Sequence, residues 1–254
     1  MGRFDGQAAL ITGAASGMGR AVTLRLASEG AEVCAVDVNA EGLAETAAML
    51  DGPISGSGGR ISTLHCDLSS VAACAQAAAG CVDAFGRIDV LGNIAGVSWQ
   101  DRVADVTEES WDRMFDVNVK AMFFLTQAAL PHLLASGGNI VNIASNAGLQ
   151  GMAYLSTYCA TKGAVVQLTR AVAMELAKTP VRVNAIAPGG VDTPMVQNYT
   201  VVSDADPQLI GRMIAFKAMS QPSDIAALFA FLASDECPGI HGAIVTADGG
   251  LTSG

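Results

Sequence analysis

Thr12-Gly13-Ala14-Ala15-Ser16-Gly17-Met18-Gly19 is the stretch on which the reading of this chain turns. An apolar run, Ala8–Thr12, leads into it, and a helical pattern, Met18–Glu29, leads out. The glycines are spaced G-x-x-x-G-x-G rather than the commoner G-x-G-x-x-G, but the physics is shared. Glycine allows a tight turn and lets backbone N–H groups approach a pyrophosphate, while the following helix points its positive end at that charge. An ordinary strand-to-helix turn uses the same residues, so the loop is weighed with its surroundings.

The next apolar run, Glu32–Asp37, ends in a carboxylate. Asp37 lies eighteen residues beyond Gly19, about where an acid reaches the adenosine ribose hydroxyls of a dinucleotide. A carboxylate there repels a 2′-phosphate. Ser16 and Val38 supply no basic residue to bind one, although Arg20 is near in sequence. The expected cofactor is therefore NAD rather than NADP.

Further along, short apolar runs alternate with helical patterns. Strands are expected at Ile61–Cys66, Ile88–Asn93, Asn139–Ala144, Val181–Ala187 and Ala243–Thr246. Helices are expected near Ala40–Leu50, Ser70–Phe85, Glu108–Ala135, Leu155–Lys178 and Ser223–Ser234. Strands apolar on both faces, separated by helices, imply a parallel sheet covered on both sides. The fold class expected is α/β: a doubly wound Rossmann fold with one sheet of about seven strands. Gly52–Gly59 reads as a loop between a helix and the next strand. Thr107 is an N-cap, with Glu108 and Glu109 in the first turn. A 254-residue α/β chain is expected to be one domain, residues 1–254.

Bulk composition excludes several classes. The formal charge of −10 disfavours nucleic acid and anionic membranes, which attract basic proteins. With 51% hydrophobic and 15% charged residues, the chain is not a disordered one. No apolar stretch reaches membrane-spanning length, and the first residues carry no apolar signal core, so a cytoplasmic location is expected. The six cysteines form no C-x-x-C pair and read mostly as small buried residues of a reducing compartment. His65, His132 and His241 are scattered without metal-ligand spacing, so no metal is expected.

Tyr158-Cys159-Ala160-Thr161-Lys162 carries the chemistry, with Ser145 thirteen residues upstream. Side chains at i and i+4 share a helix face, so Lys162 stands near the Tyr158 phenol. A free tyrosine titrates near about 10, and lowering it by about 3 units takes roughly 4 kcal/mol. One cation about 4 Å away, at an effective dielectric near 20, supplies roughly that much. Tyr158 then exchanges a proton at neutral pH, and Ser145 shares the substrate oxygen with it. Cys159, at i+1, faces away from this pair and reads as a packed thiol; His132 reads as a helix-surface residue.

Taken together, Thr12–Gly19, Asp37, Cys66-Asp67, Asn93-Ile94-Ala95-Gly96, Asn118, Ser145, Tyr158-x-x-x-Lys162 and Pro188-Gly189 followed by Thr193 resemble the short-chain dehydrogenase/reductase family. The likeness runs from about Gly6 to Gly250. It departs at Ile94, where the family usually has a second asparagine, and at Gly190, where a bulkier residue is frequent. The resemblance implies hydride exchange between NAD and a secondary alcohol or ketone. It implies that Tyr158 exchanges the proton, that Lys162 lowers its pKa and holds the nicotinamide ribose, and that Ser145 positions the substrate oxygen. It also implies that Asn118 keeps a relay water. The cofactor set it implies is Gly13, Ser16, Gly17, Met18, Gly19, Asp37, Asp67 at adenine, Asn93 near the adenosine ribose, the Ala95–Gly96 pair, Tyr158, Lys162, Pro188, Gly189, and Val191 to Thr193 at the carboxamide.

The segment from Met195 to Met219 has no clear period and contains Met195, Val196, Tyr199, Val201, Val202, Leu209, Ile210, Met213, Ile214, Phe216 and Met219. The resemblance makes it a substrate lid, about residues 190–220, and its apolar content suggests a substrate with a hydrophobic body. Two core-packing helices are the other reading. Trp99 and Gln100 edge the same pocket. The long helices at Glu108–Ala135 and Leu155–Lys178 resemble those of a family homotetramer. Two alternatives stand beside the main reading: an NADPH-dependent 3-oxoacyl-thioester reductase, and a catalytically silent dinucleotide-binding protein.

Overall fold

The computed structural model describes residues 2–50, 58–199, 202–215 and 217–253. Seven parallel strands form one sheet in the order β3-β2-β1-β4-β5-β6-β7. They are β1 Ala8–Thr12, β2 Glu32–Asp37, β3 Arg60–His65, β4 Val90–Asn93, β5 Asn139–Ile143, β6 Arg182–Pro188 and β7 Ile244–Ala247. The helices are α1 Gly17–Ser28, α2 Ala40–Leu50, α3 Val71–Phe85, α4 Glu108–Phe115, α5 Ala121–Ser136, α6 Ser156–Glu175, α7 Pro194–Gln197, α8 Pro207–Gly211 and α9 Pro222–Ala233.

The five central strands, β1, β2, β4, β5 and β6, bury residues of both parities because helices cover both faces. Ala9 and Ile11 of β1 pack with Val22 and Leu26 of α1 and Phe229 of α9. Leu10, facing the other way, packs with Cys74 and Cys81 of α3, Leu125 and Leu133 of α5, and Leu176 beyond α6. Each fully buried aliphatic side chain contributes about 1.5–3 kcal/mol through lost contact with water. Such two-sided burial leaves no polar parity along a strand, which is why the runs read as continuous in the sequence.

Strand order reverses between β1 and β4, and there the carboxyl ends diverge into a crevice. Loops after β1, β2, β4, β5 and β6 all open toward it. The loop expected at Gly52–Gly59 lies largely outside the described residues.

One expected helix is interrupted. Glu108–Ala135 divides into α4 and α5 around a π turn, Asp116–Lys120. Thr107 caps α4 as expected, its Oγ1 accepting from Ser110 N–H at 3.1 Å. The break centres on Asn118, whose buried amide is bonded outside its own helix. A single π turn of this kind realigns one side chain without ending the helix.

Candidate active site

The loop after β1 forms one wall of a cleft of about 290 Å³. Gly13 takes φ +69°, and a Cβ there would meet Ala95 Cα at 3.0 Å. A Cβ on Gly19 would lie 2.0 Å from Gly13 O, so the first turn of α1 closes onto the loop only without a side chain. Thr12 ties this wall to the opposite one, its Oγ1 accepting from Ile94 N–H at 2.8 Å and Ala95 N–H at 3.0 Å. Ser16 occupies the N-cap of α1 without a side-chain capping bond. The orphan N–H groups of that turn, and the positive end of a twelve-residue helix, remain for an anion.

Asp37 ends β2 at the rim of the cleft. Its Oδ2 accepts from Ala15 N–H at 3.0 Å and its Oδ1 from Asn39 N–H at 2.9 Å. Arg20 turns the other way. Its guanidinium bonds Glu45 Oε2 at 2.7 Å, Thr46 Oγ1 at 3.0 Å and the Ala15 carbonyl, and is thereby engaged elsewhere. Asp67 lines the cleft further out, its carboxyl held below the usual range by the Ser69 N–H. Arg113, which sequence reasoning passed over, stands close enough to pull Asp67 in the same direction. Its place in a helix gave no local signal.

The cleft continues into a second pocket lined by Met18, Ser145, Tyr158, Lys162, Gly189 and Thr193, with Pro188 and Val191 in the same wall. Met18, Thr193 and Met195 line both spaces, so the two are continuous. Ser145 follows β5 and is 8% exposed; its Oγ accepts from Ala147 N–H at 3.1 Å. Lys162 is buried, and its Nζ donates to Ile143 O at 2.8 Å, pinning α6 to β5. That Nζ lies 5.8 Å from the Tyr158 ring centre. The three expected side chains therefore meet.

Their electrostatics differ from the expectation. Burial pushes the half-buried Tyr158 phenol up to about 12, against the pull of the Ser145 hydroxyl. Burial likewise brings Lys162 down to about 8. The ammonium was expected to lower the phenol by itself; within the protein alone, desolvation of both groups wins. Cys159, at the next position, is half-buried with its thiol raised by burial, and a thiolate there would oppose ionisation of both Tyr158 and Tyr199.

Asn93 and Asn118 both spend their side chains on bonds within the protein. Asn93 turns from the cleft: its Nδ2 donates to Asn142 Oδ1 at 2.8 Å and Thr126 Oγ1 at 3.1 Å, joining β4 to β5 and α5. Asn118 Oδ1 accepts from Val97 N–H at 2.8 Å, while its Nδ2 donates to Val97 O at 2.9 Å and Thr161 Oγ1 at 3.2 Å. Its side chain thus braces the loop after β4 against α6. Gly190 leaves room for Met219, whose Cγ would lie 3.1 Å from a Cβ there.

The segment after β6 is not a pair of core-packing helices. Among the described residues, none from 195 to 219 joins the buried core, and Ile214 is 66% exposed. Val201 and Phe216 lie outside the described residues. Polar contacts hold the segment to the loop after β4. The Ser98 and Tyr199 hydroxyls are 2.8 Å apart, Gln100 Oε1 accepts from Val202 N–H at 3.3 Å, and Arg102 pairs with Asp204. Tyr154, with φ +62°, is the one described non-glycine residue with positive φ; its hydroxyl accepts from Asp206 N–H at 3.0 Å.

Fold, glycine cradle and Ser–Tyr–Lys cluster define a dinucleotide-binding α/β protein with an adjoining acid–base site. A family model described as enoyl-(acyl carrier protein) reductase matches residues 13–252. Meso-2,3-butanediol dehydrogenase of Serratia marcescens is 38% identical over 99% of this chain and 96% of its own length. A 3-oxoacyl-(acyl-carrier-protein) reductase of Thermotoga maritima is 35% identical over 98% of this chain and 99% of its own. The crystal structure of a short-chain dehydrogenase from Mycobacterium paratuberculosis bound to NAD superposes with a TM-score of 0.91 at 32% identity, covering 100% of both chains. The chain belongs to the short-chain dehydrogenase/reductase family.

Proposed function

We propose that this protein is an NAD-dependent oxidoreductase that moves a hydride between the cofactor and a secondary alcohol or its ketone. The observation that carries this reading is the continuity of the two pockets: Ser145, Tyr158 and Lys162 line a space that opens through Met18 and Thr193 into the glycine-walled cleft. The residues present fit the dinucleotide. Gly13, Gly17 and Gly19 leave room for a pyrophosphate at the start of α1, Asp37 offers its carboxylate to ribose hydroxyls, and Arg20 is spent on Glu45 and Thr46. Asp67, Ala95 and Gly96 would flank the adenosine half, and Pro188, Gly189, Val191 and Thr193 the nicotinamide half.

When bound, oxidised NAD accepts the hydride and brings a positive charge. The protein does the rest. Tyr158 takes the hydroxyl proton of the alcohol, or returns it to the ketone oxygen in reverse. Ser145 donates a hydrogen bond to that oxygen, and Lys162 supplies positive charge behind the phenol. A phenol pushed up to about 12 is protonated at neutral pH, which suits ketone reduction directly. Alcohol oxidation needs the phenolate, so its rate rises with pH. Asn118 acts by bracing Val97 and Thr161 around this site.

The chain works as one catalytic unit with residues about 190–220 as its lid. The reductase relative keeps the 3-oxoacyl-thioester reading in view; Asp37, with Arg20 engaged elsewhere, weighs against NADPH. Exposed Trp111 on α4, Phe123 on α5 and Met174 on α6 support a homotetramer, which light scattering would measure. Free thiols among the described residues accord with a cytoplasmic location. Turnover of NAD with a panel of secondary alcohols, followed by absorbance of the reduced cofactor, tests the function. NADH formation is expected and NADP is a poor substitute; no turnover with any alcohol contradicts the reading.

A further inference from the structure

Beside the catalytic pocket, and sharing Met195 with it, lies a cavity of about 390 Å³ between the loop after β4 and the lid. Six of its nine lining residues carry polar side chains: Ser98, Gln100, Asp101, Asn198, Tyr199 and Ser203. Of the lid's apolar side chains only Met195 and Val202 reach it among the described residues, while Ile214 and Met219 are 66% and 52% exposed. This lining is the reverse of what a hydrophobic substrate body requires, since apolar groups would leave these polar atoms unpaired.

The chemistry of the lining can be read further. The hydroxyls of Ser98 and Tyr199 share one hydrogen bond at 2.8 Å. Two hydroxyls carry two protons, and the shared bond uses one. The pair therefore keeps one O–H donor and spare acceptor lone pairs. Burial raises the Tyr199 pKa above its usual value, so this donor persists across physiological pH. Gln100 spends its Oε1 on Val202, while its amide nitrogen makes no hydrogen bond. Asn198 spends its Nδ2 on Pro194 O, leaving Oδ1 as an acceptor. Asp101, the one charged side chain in the lining, accepts from Ser110 Oγ at 3.3 Å, and the groups just named are all neutral, so the matching ligand group is neutral and both donates and accepts. A hydroxyl meets that description. Tyr199 is also near enough to Tyr158 that a phenolate at one would oppose ionisation of the other, which places the second hydroxyl close to the reacting one.

We propose that Tyr199, with Ser98 and Gln100, is a specificity-determining site that binds a second hydroxyl of the substrate, making a vicinal diol or short polyol the substrate class. The proposal rests on the alcohol-oxidising reading above and narrows it. The reacting carbon sits against the apolar walls formed by Ile94, Val191 and Met195, while the neighbouring hydroxyl points to the polar cavity. A site built to pair a hydroxyl discriminates against the analogue lacking it, because its own polar groups are then left unpaired.

The test compares 2,3-butanediol with 2-butanol, which differ by one hydroxyl, in the wild type, Tyr199→Phe and Ser98→Ala. The wild type is expected to favour the diol by about a hundredfold or more in kcat/KM. Tyr199→Phe should lower that diol-to-monoalcohol ratio about tenfold, and Ser98→Ala should lower it in the same direction. Equal use of both alcohols by the wild type, or a ratio unmoved in both variants, overturns the proposal while the dehydrogenase reading stands. No NAD turnover with either alcohol overturns that reading and this proposal with it.

Discussion

On the cofactor side of the cleft, Asn118, Lys162 and Ser145 are 3%, 4% and 8% exposed, and each is bonded to backbone of another element or its own turn. On the lid side, Met195 and Ile214 are 41% and 66% exposed, and the segment is fastened by side chains at the surface. The first bank is assembled from strand ends, so its geometry is as stiff as the sheet. The second is a surface loop held by part-buried and exposed polar contacts, the exposed ion pair stabilising little. Chemistry shared by many substrates thus sits in the core, and the choice of substrate sits where residues can change at little cost to stability.

Lys162→Met strikes the stiff bank hardest. It should lower kcat by about a hundredfold or more, since a buried cation beside the phenol is lost. It should also change stability against pH. The folded pKa of Lys162, about 8, lies below its ordinary 10.5, so the unfolded chain binds the extra proton between those values. Stability from this group is therefore complete above pH 10.5 and falls as pH drops through 8. Tyr158, raised from 10 to about 12, has the opposite sign, losing stability as pH rises through that window. Denaturant midpoints measured from pH 8 to 10 should rise in the wild type, and the rise should shrink in Lys162→Met. Identical slopes would break the contrast.

Next comes a pair of glycines. A Cβ at Gly19 would lie 2.0 Å from Gly13 O, whereas one at Gly211, in α8, meets nothing within 4 Å. Gly19→Ala should weaken NADH binding by about tenfold or more and lower the melting temperature. Gly211→Ala should leave NADH affinity unchanged. Fluorescence titration of NADH and a thermal melt read both. Asp37→Ala is smaller and more selective: KM for NAD should rise about tenfold, and the preference over NADP should narrow.

Arg102→Ala, at the lid, is the smallest. Its ion pair with Asp204 and its stacking 5.7 Å over the Tyr154 ring are both at the surface. KM for the alcohol should rise by about two- to threefold with the melting temperature nearly constant, while hydrogen exchange quickens across residues 202–206. A large fall in melting temperature would mean that the lid shares the stiffness of the opposite bank.

How much was legible follows the same division. The seven strands are expected within two residues of where they lie; in the five central ones, burial on both faces writes itself as continuous apolar runs. The glycine loop, Asp37 and the Ser145–Tyr158–Lys162 cluster were legible because turn chemistry and helical spacing are local. The π turn at Asp116–Lys120 was not, since it depends on Asn118 bonding a loop far away in sequence. The direction of the Asn93 side chain was hidden for the same reason; its partners Thr126 and Asn142 come from other elements. Tyr154 at φ +62° gave no local sign, because an aromatic residue is not one that prefers this conformation. The lid was least legible: its apolar residues have no period, and its fasteners pair residues about a hundred positions apart.

Oxidation of a secondary alcohol across pH 6 to 10, compared in the wild type and Tyr158→Phe, bears most directly on the acid–base role assigned to the phenol. The wild-type kcat/KM should climb with pH, while the variant should be slower by about a thousandfold and flat, with NADH affinity within about threefold of the wild type. A variant that keeps the wild-type rate, or the same climb, would show that the proton passes through another group.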